Sequence, residues 1–140
     1  MNDYSDIIYL MGAMIIFSML SLNVSHFFRI NEQFQYQNEI EYNGVALAQD
    51  IIEEVRWISD PDRITNGNQD CICNDYPQTI TREFGPGQNN SLDFTVDLTI
   101  TDVSVPGSNA VNKRIEVMVT NEYLPDNQVI EMEYIKSYIE

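Results

Sequence analysis

Between Asp6 and Arg29 the chain carries no charge. The intervening stretch, Ile7 to Phe28, is about 22 residues, or roughly 33 Å at the rise of an α-helix, which is enough to cross the hydrocarbon core of a bilayer. From Ile7 to Leu22 it is apolar on every side, a pattern that belongs to helices surrounded by other helices or by lipid. Gly12, Ala13, Ser18 and Ser21 are small residues where a second helix can approach closely. Asp3, Ser5 and Asp6 supply an N-cap and first-turn acids against the positive end of the helix dipole.

The stretch that follows, Arg29 to Ile58, keeps helical period but changes character. Ile40, Leu47, Ala48, Ile51, Ile52, Val55 and Ile58 recur at steps of three and four, while Glu39, Glu41, Gln49, Asp50, Glu53, Glu54 and Arg56 take the other faces. Phe34 and Tyr36 stand among Glu, Gln and Asn, as in a helix contacted by neighbours on several sides. Gly44 costs about 1 kcal/mol relative to Ala in a helix interior, without breaking it. No proline occurs before Pro61, and Ser59 to Asp62 end the helix because a residue preceding proline is pushed out of helical geometry. The sequence therefore predicts one helix over Ile7 to Ile58, ~78 Å long and far longer than the mean helix of a compact domain.

Beyond it the composition turns to Asn, Asp, Gly and Pro, with turn signals at Asn66-Gly67, Gly85 to Gly87 and Asn89-Asn90. An irregular loop is expected there, with a short strand at Thr79 to Phe84. The period then becomes two. Leu92, Phe94, Val96, Leu98 and Ile100 alternate with polar residues, as do Ile115, Val117 and Val119, and then Ile130, Met132 and Tyr134. Pro106 to Asn109 and Leu124 to Asn127 are the turns between them. Three such strands form an antiparallel meander whose apolar face needs a cover, and the stripe Leu47, Ile51, Ile52, Val55, Ile58, with Trp57 as an anchor at the helix end, is the candidate. The expected fold is α+β, a long N-terminal helix packed on a small antiparallel sheet. It divides into an apolar helix (1–28), an amphipathic helix (29–58) and a loop-plus-sheet domain (59–140). The roughly 80 residues of the last part are near the size at which a core needs outside help.

A net charge of −15 argues against nucleic acid as a partner, since phosphate binding needs clustered Lys and Arg. The acidic flank before Ile7 lacks the basic residues and cleavage site of a signal peptide, so the apolar run is expected to be kept. Taken alone, the positive-inside rule puts Arg29 in the cytoplasm, and a basic leader ahead of Met1 would reverse that orientation.

Side chains with reactive chemistry are few. Cys71-Ile72-Cys73 offers two of the four ligands of a structural metal, with no histidine near in sequence. A local disulfide, a bond between subunits or two thiols are the expected states, and no metal or cofactor. His26 lies inside the apolar helix without a nucleophile and orienting acid beside it, which favours a packed imidazole over a catalytic base. Asp60, Asp62, Asp70 and Asp75 lack the dense spacing of a calcium loop and read as turn-forming acids. Asn89-Asn90-Ser91 matches a glycosylation acceptor. Glu53 and Glu54 read as a polar helix face, and no enzymatic role is expected.

Two local runs join this architecture: ALAQDIIEEVR at 46–56 and KRIEVMVT at 113–120. An apolar helix continuing into an amphipathic one, then a loop and a small antiparallel sheet, resembles the type IV pilin and pseudopilin family across nearly the whole chain. The resemblance implies subunits anchored in the inner membrane by the apolar helix, then extruded by a pilus or secretion machinery into an extracellular filament that is a homopolymer of the chain. It also implies an acid near the mature N-terminus that pairs with the terminal amine of the adjacent subunit. The chain departs from the family here, for its fifth residue is Ser5 and the peptidase signature of a basic leader is missing. Asp6 or Asp3 is the substitute acid, and Met1 is the mature first residue if the leader has been removed. Two alternatives remain: a minor pseudopilin of a type II-like secretion system, and a single-pass anchored binding domain that does not polymerise.

Overall fold

The computed structural model describes residues 3–84, 90–104, 110–125 and 128–138. Helix α1, Asp3–Trp57, holds both stretches that the sequence distinguishes, and the chain divides after Tyr36 into two compact units. In the first unit, α1 leaves every side chain from Tyr4 to Phe28 exposed, with only Gly12 half-covered. Its helix is long and apolar enough to cross a membrane.

The second unit is the remainder of α1 laid on a four-stranded sheet, an α+β arrangement. Strands β1 (Gln78–Phe84), β2 (Asn90–Val103), β3 (Val111–Thr120) and β4 (Ile130–Tyr138) follow one another in the order β1-β2-β3-β4, each antiparallel to the next. Period-two alternation puts Leu92, Phe94, Val96, Leu98 and Ile100 of β2 on one buried face with Ile115, Val117 and Val119 of β3. Register aligns them in rows: Val96, Val119 and Ile130; Leu98, Val117 and Met132; Ile100, Ile115 and Tyr134. Against these rows α1 places Ile40, Leu47, Ala48, Ile51 and Val55, all buried. Each large side chain so covered contributes about 1.5–3 kcal/mol, and the helix supplies what a sheet of this size lacks.

The structure departs from the sequence reading at four points. The strand expected at Thr79 is a full seven-residue member, paired with β2 from Gln78↔Val96 to Phe84↔Asn90, so the meander has four strands. The segment between α1 and β1 is not plain loop. Two 3-10 turns, Pro61–Ile64 and Ile72–Asp75, bury Ile64 and Ile72 in the same core, with Cys71 between them. Asn66-Gly67 turns the chain as expected, with Gly67 at φ 89°, where a side chain is strained. Trp57 is not a helix–sheet anchor, being 81% exposed. Val55 faces the sheet, and two residues further along a helix is roughly 200° around it, which turns Trp57 to solvent. Lastly, α1 ends at Trp57, and Ile58 enters the core from just beyond the helix. The turns expected at Gly85 to Gly87 and Pro106 to Asn109, and the tip of the one at Leu124 to Asn127, lie outside the described residues.

Gly44, an apparent flaw in a helix, is a point of close approach. A Cβ there would collide with Cδ1 of Ile130 and stand 3.5 Å from Phe94. Gly44→Leu is expected to destabilise the sheet unit by about 1–3 kcal/mol through overpacking, and urea unfolding of the detergent-solubilised protein followed by circular dichroism measures it.

Candidate functional site

Two surfaces carry the residues singled out by sequence, one in each unit. In the first, the exposed surface of α1 has a shallow, open notch lined by Leu10, Ala13, Met14, Phe17 and Ser18. Ala13 and Ser18 make the notch because they are short between long neighbours. The Ser18 hydroxyl donates to Met14 O at 2.8 Å, so the one polar side chain in the notch is satisfied within the helix. This matters in an apolar surrounding, where an unpaired hydroxyl is costly. Ser21 is exposed one turn beyond Phe17. Gly12 lies outside the notch, with open space where a side chain would be. Ala13, Ser18 and their neighbours are thus brought together, and Gly12 is not. Asp6 is exposed on the first turns of α1, which begins at Asp3, and Met1 lies outside the described residues.

In the second unit Leu47, Ile51, Val55 and Ile58 are core residues, and Ile52 packs at the core's margin. Ile52 also lines a ≈ 690 Å³ groove between α1 (Gln49, Asp50, Glu53, Arg56) and β4 (Met132, Glu133, Tyr134). The outer face of the sheet is polar and acidic: Asp93, Asp97, Glu131 and Glu133 are exposed there, with Arg114 Nε 2.8 Å from Glu133 Oε1. The acids Asp60, Asp62, Asp70 and Asp75 do not converge, and among the described residues no three His, Cys, Asp or Glu gather to hold a metal. Asp60 instead caps the first 3-10 turn, its Oδ1 accepting from the Asp62 amide at 3.0 Å. His26 is exposed on the first unit's helix, Glu53 and Glu54 are exposed on the second's, and Asn89 lies outside the described residues.

Of the states open to Cys71 and Cys73, a local disulfide is the one observed. It sits at the start of the second 3-10 turn with Cys71 buried, and joins the N-cap of that turn to its second residue. Iodoacetamide is expected to add to neither cysteine before reduction and to both after it, and non-reducing electrophoresis to show no disulfide-linked dimer. Intact-mass measurement checks the first expectation.

Sequence reasoning missed the group that finishes α1. Lys136 Nζ donates to Val55 O and Arg56 O, each at 3.0 Å, and to Ile58 O, while Tyr138 Oη donates to Ile58 O at 3.1 Å. The last carbonyls of a helix have no partner within it, and an ammonium ion there also meets the negative end of the dipole. Burial draws the Lys136 pKa below the ordinary lysine value and, with Asp60 and Tyr134, raises that of Tyr138. The carbonyl oxygens hold the ammonium against that loss of water. The signal was present in β4, since Lys136 and Tyr138 continue the parity of Met132 and Tyr134 past the point where the core ends. Two ion pairs join residues distant in sequence, which no local pattern marks: Arg82 with Asp50 ties β1 to α1, and buried Lys113 pairs with exposed Asp102. Lys136→Met keeps the stem but removes the ammonium and is expected to lose about 1–3 kcal/mol, read as a lower urea midpoint for sheet unfolding.

Compared with protein-family models, curated proteins and solved structures, the chain finds no match. The functional reading therefore stands on the helix, the sheet and their chemistry.

Proposed function

We propose that the chain is the structural subunit of a type IV pilus-like extracellular filament, held first in the inner membrane and then polymerised through the apolar part of α1. The observation that carries this reading is the pairing of two helix types in one element. Residues 37–57 of α1 spend their apolar stripe on the sheet, whereas from Ile7 to Leu22 apolar side chains on every side are left exposed. A simple anchor needs the second property alone. The notch at Ala13 and the internally bonded Ser18 add a surface on which another helix can seat closely.

The role is non-catalytic, and the partners are other copies of the chain together with the machinery that extracts them from the membrane. In a bilayer the helix is already out of water, so exchange of lipid for helix is driven by packing and by paired polar groups, not by further hydrophobic transfer. Where the chain serves instead as a minor pseudopilin, its copies per filament are few. Where it is an anchored binding domain, there are none.

Cells making the protein are expected to carry fibres that antibodies to the sheet unit decorate along their length. Decoration at tips alone supports the minor subunit, and no fibre supports the anchored domain. Ala13→Leu, which fills the notch, is expected to reduce fibre yield several-fold by electron microscopy, while circular dichroism shows the sheet unit folded.

A further inference from the structure

The two ends of the apolar run differ in chemistry. The N-terminal end carries only acids, Asp3 and Asp6, whereas the C-terminal end carries Ser25, His26, Arg29 and Glu32. Arg29 is the only Lys or Arg before Arg56. All four side chains at the C-terminal end are exposed, and among the described residues neither Arg29 nor Glu32 has an ion-pair partner.

Steps of three and four put these groups on one side of the helix. At about 100° per residue, Ser25, His26 and Glu32 each lie within ~60° of Arg29 around the axis. Along the axis they are ordered. Ser25 and His26 sit about one turn nearer the middle of the apolar run than Arg29, and Glu32 about 4.5 Å farther from it. A hydroxyl and an imidazole each have a proton to donate, so this face presents, from the apolar run outward, two hydrogen-bond donors, then a cation, then an anion.

With residues 7–28 in a bilayer, Arg29 stands where hydrocarbon gives way to headgroups. Long side chains on a helix lean toward its N-terminus, which here is toward the lipid. An arginine at such a boundary lays its stem along hydrocarbon and its guanidinium among phosphates, which it binds through paired, charge-assisted hydrogen bonds. Glu32, one turn outward, meets whatever lies beyond the phosphate. A headgroup of net negative charge leaves that carboxylate without a cation, and a quaternary ammonium has no N–H to donate. A primary ammonium supplies both charge and donors, and the two-carbon arm that joins it to phosphate in an ethanolamine headgroup is comparable in length to the rise between Arg29 and Glu32. We propose that Ser25, His26, Arg29 and Glu32 form a binding face for a zwitterionic phospholipid whose headgroup carries a primary amine. Complementary charge selects this occupant, the phosphate on Arg29 and the ammonium on Glu32, and the lipid's acyl chains continue the surroundings of the apolar run. The inference rests on the membrane stage of the proposed function, which the filament and anchored-domain readings share, and it names the lipid that the membrane pool holds.

Native mass spectrometry of the full-length protein in detergent, with equimolar phosphatidylethanolamine, phosphatidylcholine and phosphatidylglycerol of matched acyl chains, tests it. Adducts of phosphatidylethanolamine are expected to exceed those of either other lipid by about three- to fivefold, the range of an ion pair that stays partly exposed. Arg29→Gln is expected to lower the adducts of all three lipids. Glu32→Gln is expected to abolish the preference for the amine while phosphate-dependent binding remains. Equal adducts of the three lipids on the unaltered protein, or a preference that survives Glu32→Gln, overturn the proposal. Soluble phosphoethanolamine is expected to form no adduct, and its binding as well as the lipid would overturn the lipid as occupant. Loss of selectivity in a protein that still floats with phosphatidylethanolamine vesicles leaves the membrane stage intact, whereas a protein that does not float with them removes that stage and this inference with it.

Discussion

Everything in this protein answers to one constraint: a helix that is apolar all round has to be surrounded by something other than water. Along Ile7 to Phe28 the described residues provide no such surroundings. Lipid provides them, and so do copies of the same helix. The choice between the two is close because hydrocarbon side chains are as comfortable in one as in the other, which leaves small differences in packing and in ion pairing to decide. An element with this property fits membrane anchoring or polymerisation. Most of the chain's net charge of −15 falls in the second unit, where charge of one sign favours solvation of its surface and salt screens repulsion between copies beyond ~8–10 Å.

The second unit solves a different problem with the same helix. An exposed sheet face of this size is not self-sufficient, and α1 covers it with Ile40, Leu47, Ala48, Ile51 and Val55. Gly44 lets the helix come close at one place, against Ile130 and Phe94, and Lys136 with Tyr138 closes its last turn at another. Between these points the fit is set by packing. The segment between α1 and β1, which includes the Cys71–Cys73 disulfide, completes the core with Ile64 and Ile72. Polar contacts thus locate the helix on the sheet, while apolar burial provides the stabilisation.

Periodicity was the most informative part of the sequence. The change from an all-round apolar pattern to a stripe, and then to alternation, predicted the helix, its packing face and three of the four strands. What it could not supply was long-range chemistry. β1 was legible only as a short strand because Gln78, Thr79, Thr81 and Glu83 make it an edge with little apolar signal, and its identity depends on pairing with β2. The size of Trp57 suggests an anchor, whereas helical phase, counted from Val55, points it to solvent. Ile64 and Ile72 sat among loop residues without a period to mark them. At the candidate assembly surface, Ala13 and Ser18 were recognised as small. Only the shapes of Leu10, Met14 and Phe17 around them distinguish that notch from the open surface at Gly12.

The central claim is that the apolar part of α1 exchanges lipid for copies of itself. Electron cryomicroscopy of fibres sheared from cells tests it most directly, because the map locates each segment by radius. The account predicts a core of closely packed α-helices traceable as residues 7–28, with no lipid between them and density for the sheet units farther from the axis. A fibre whose axis is lined by sheet units, or one in which residues 7–28 have no helical neighbour from another copy, would contradict it.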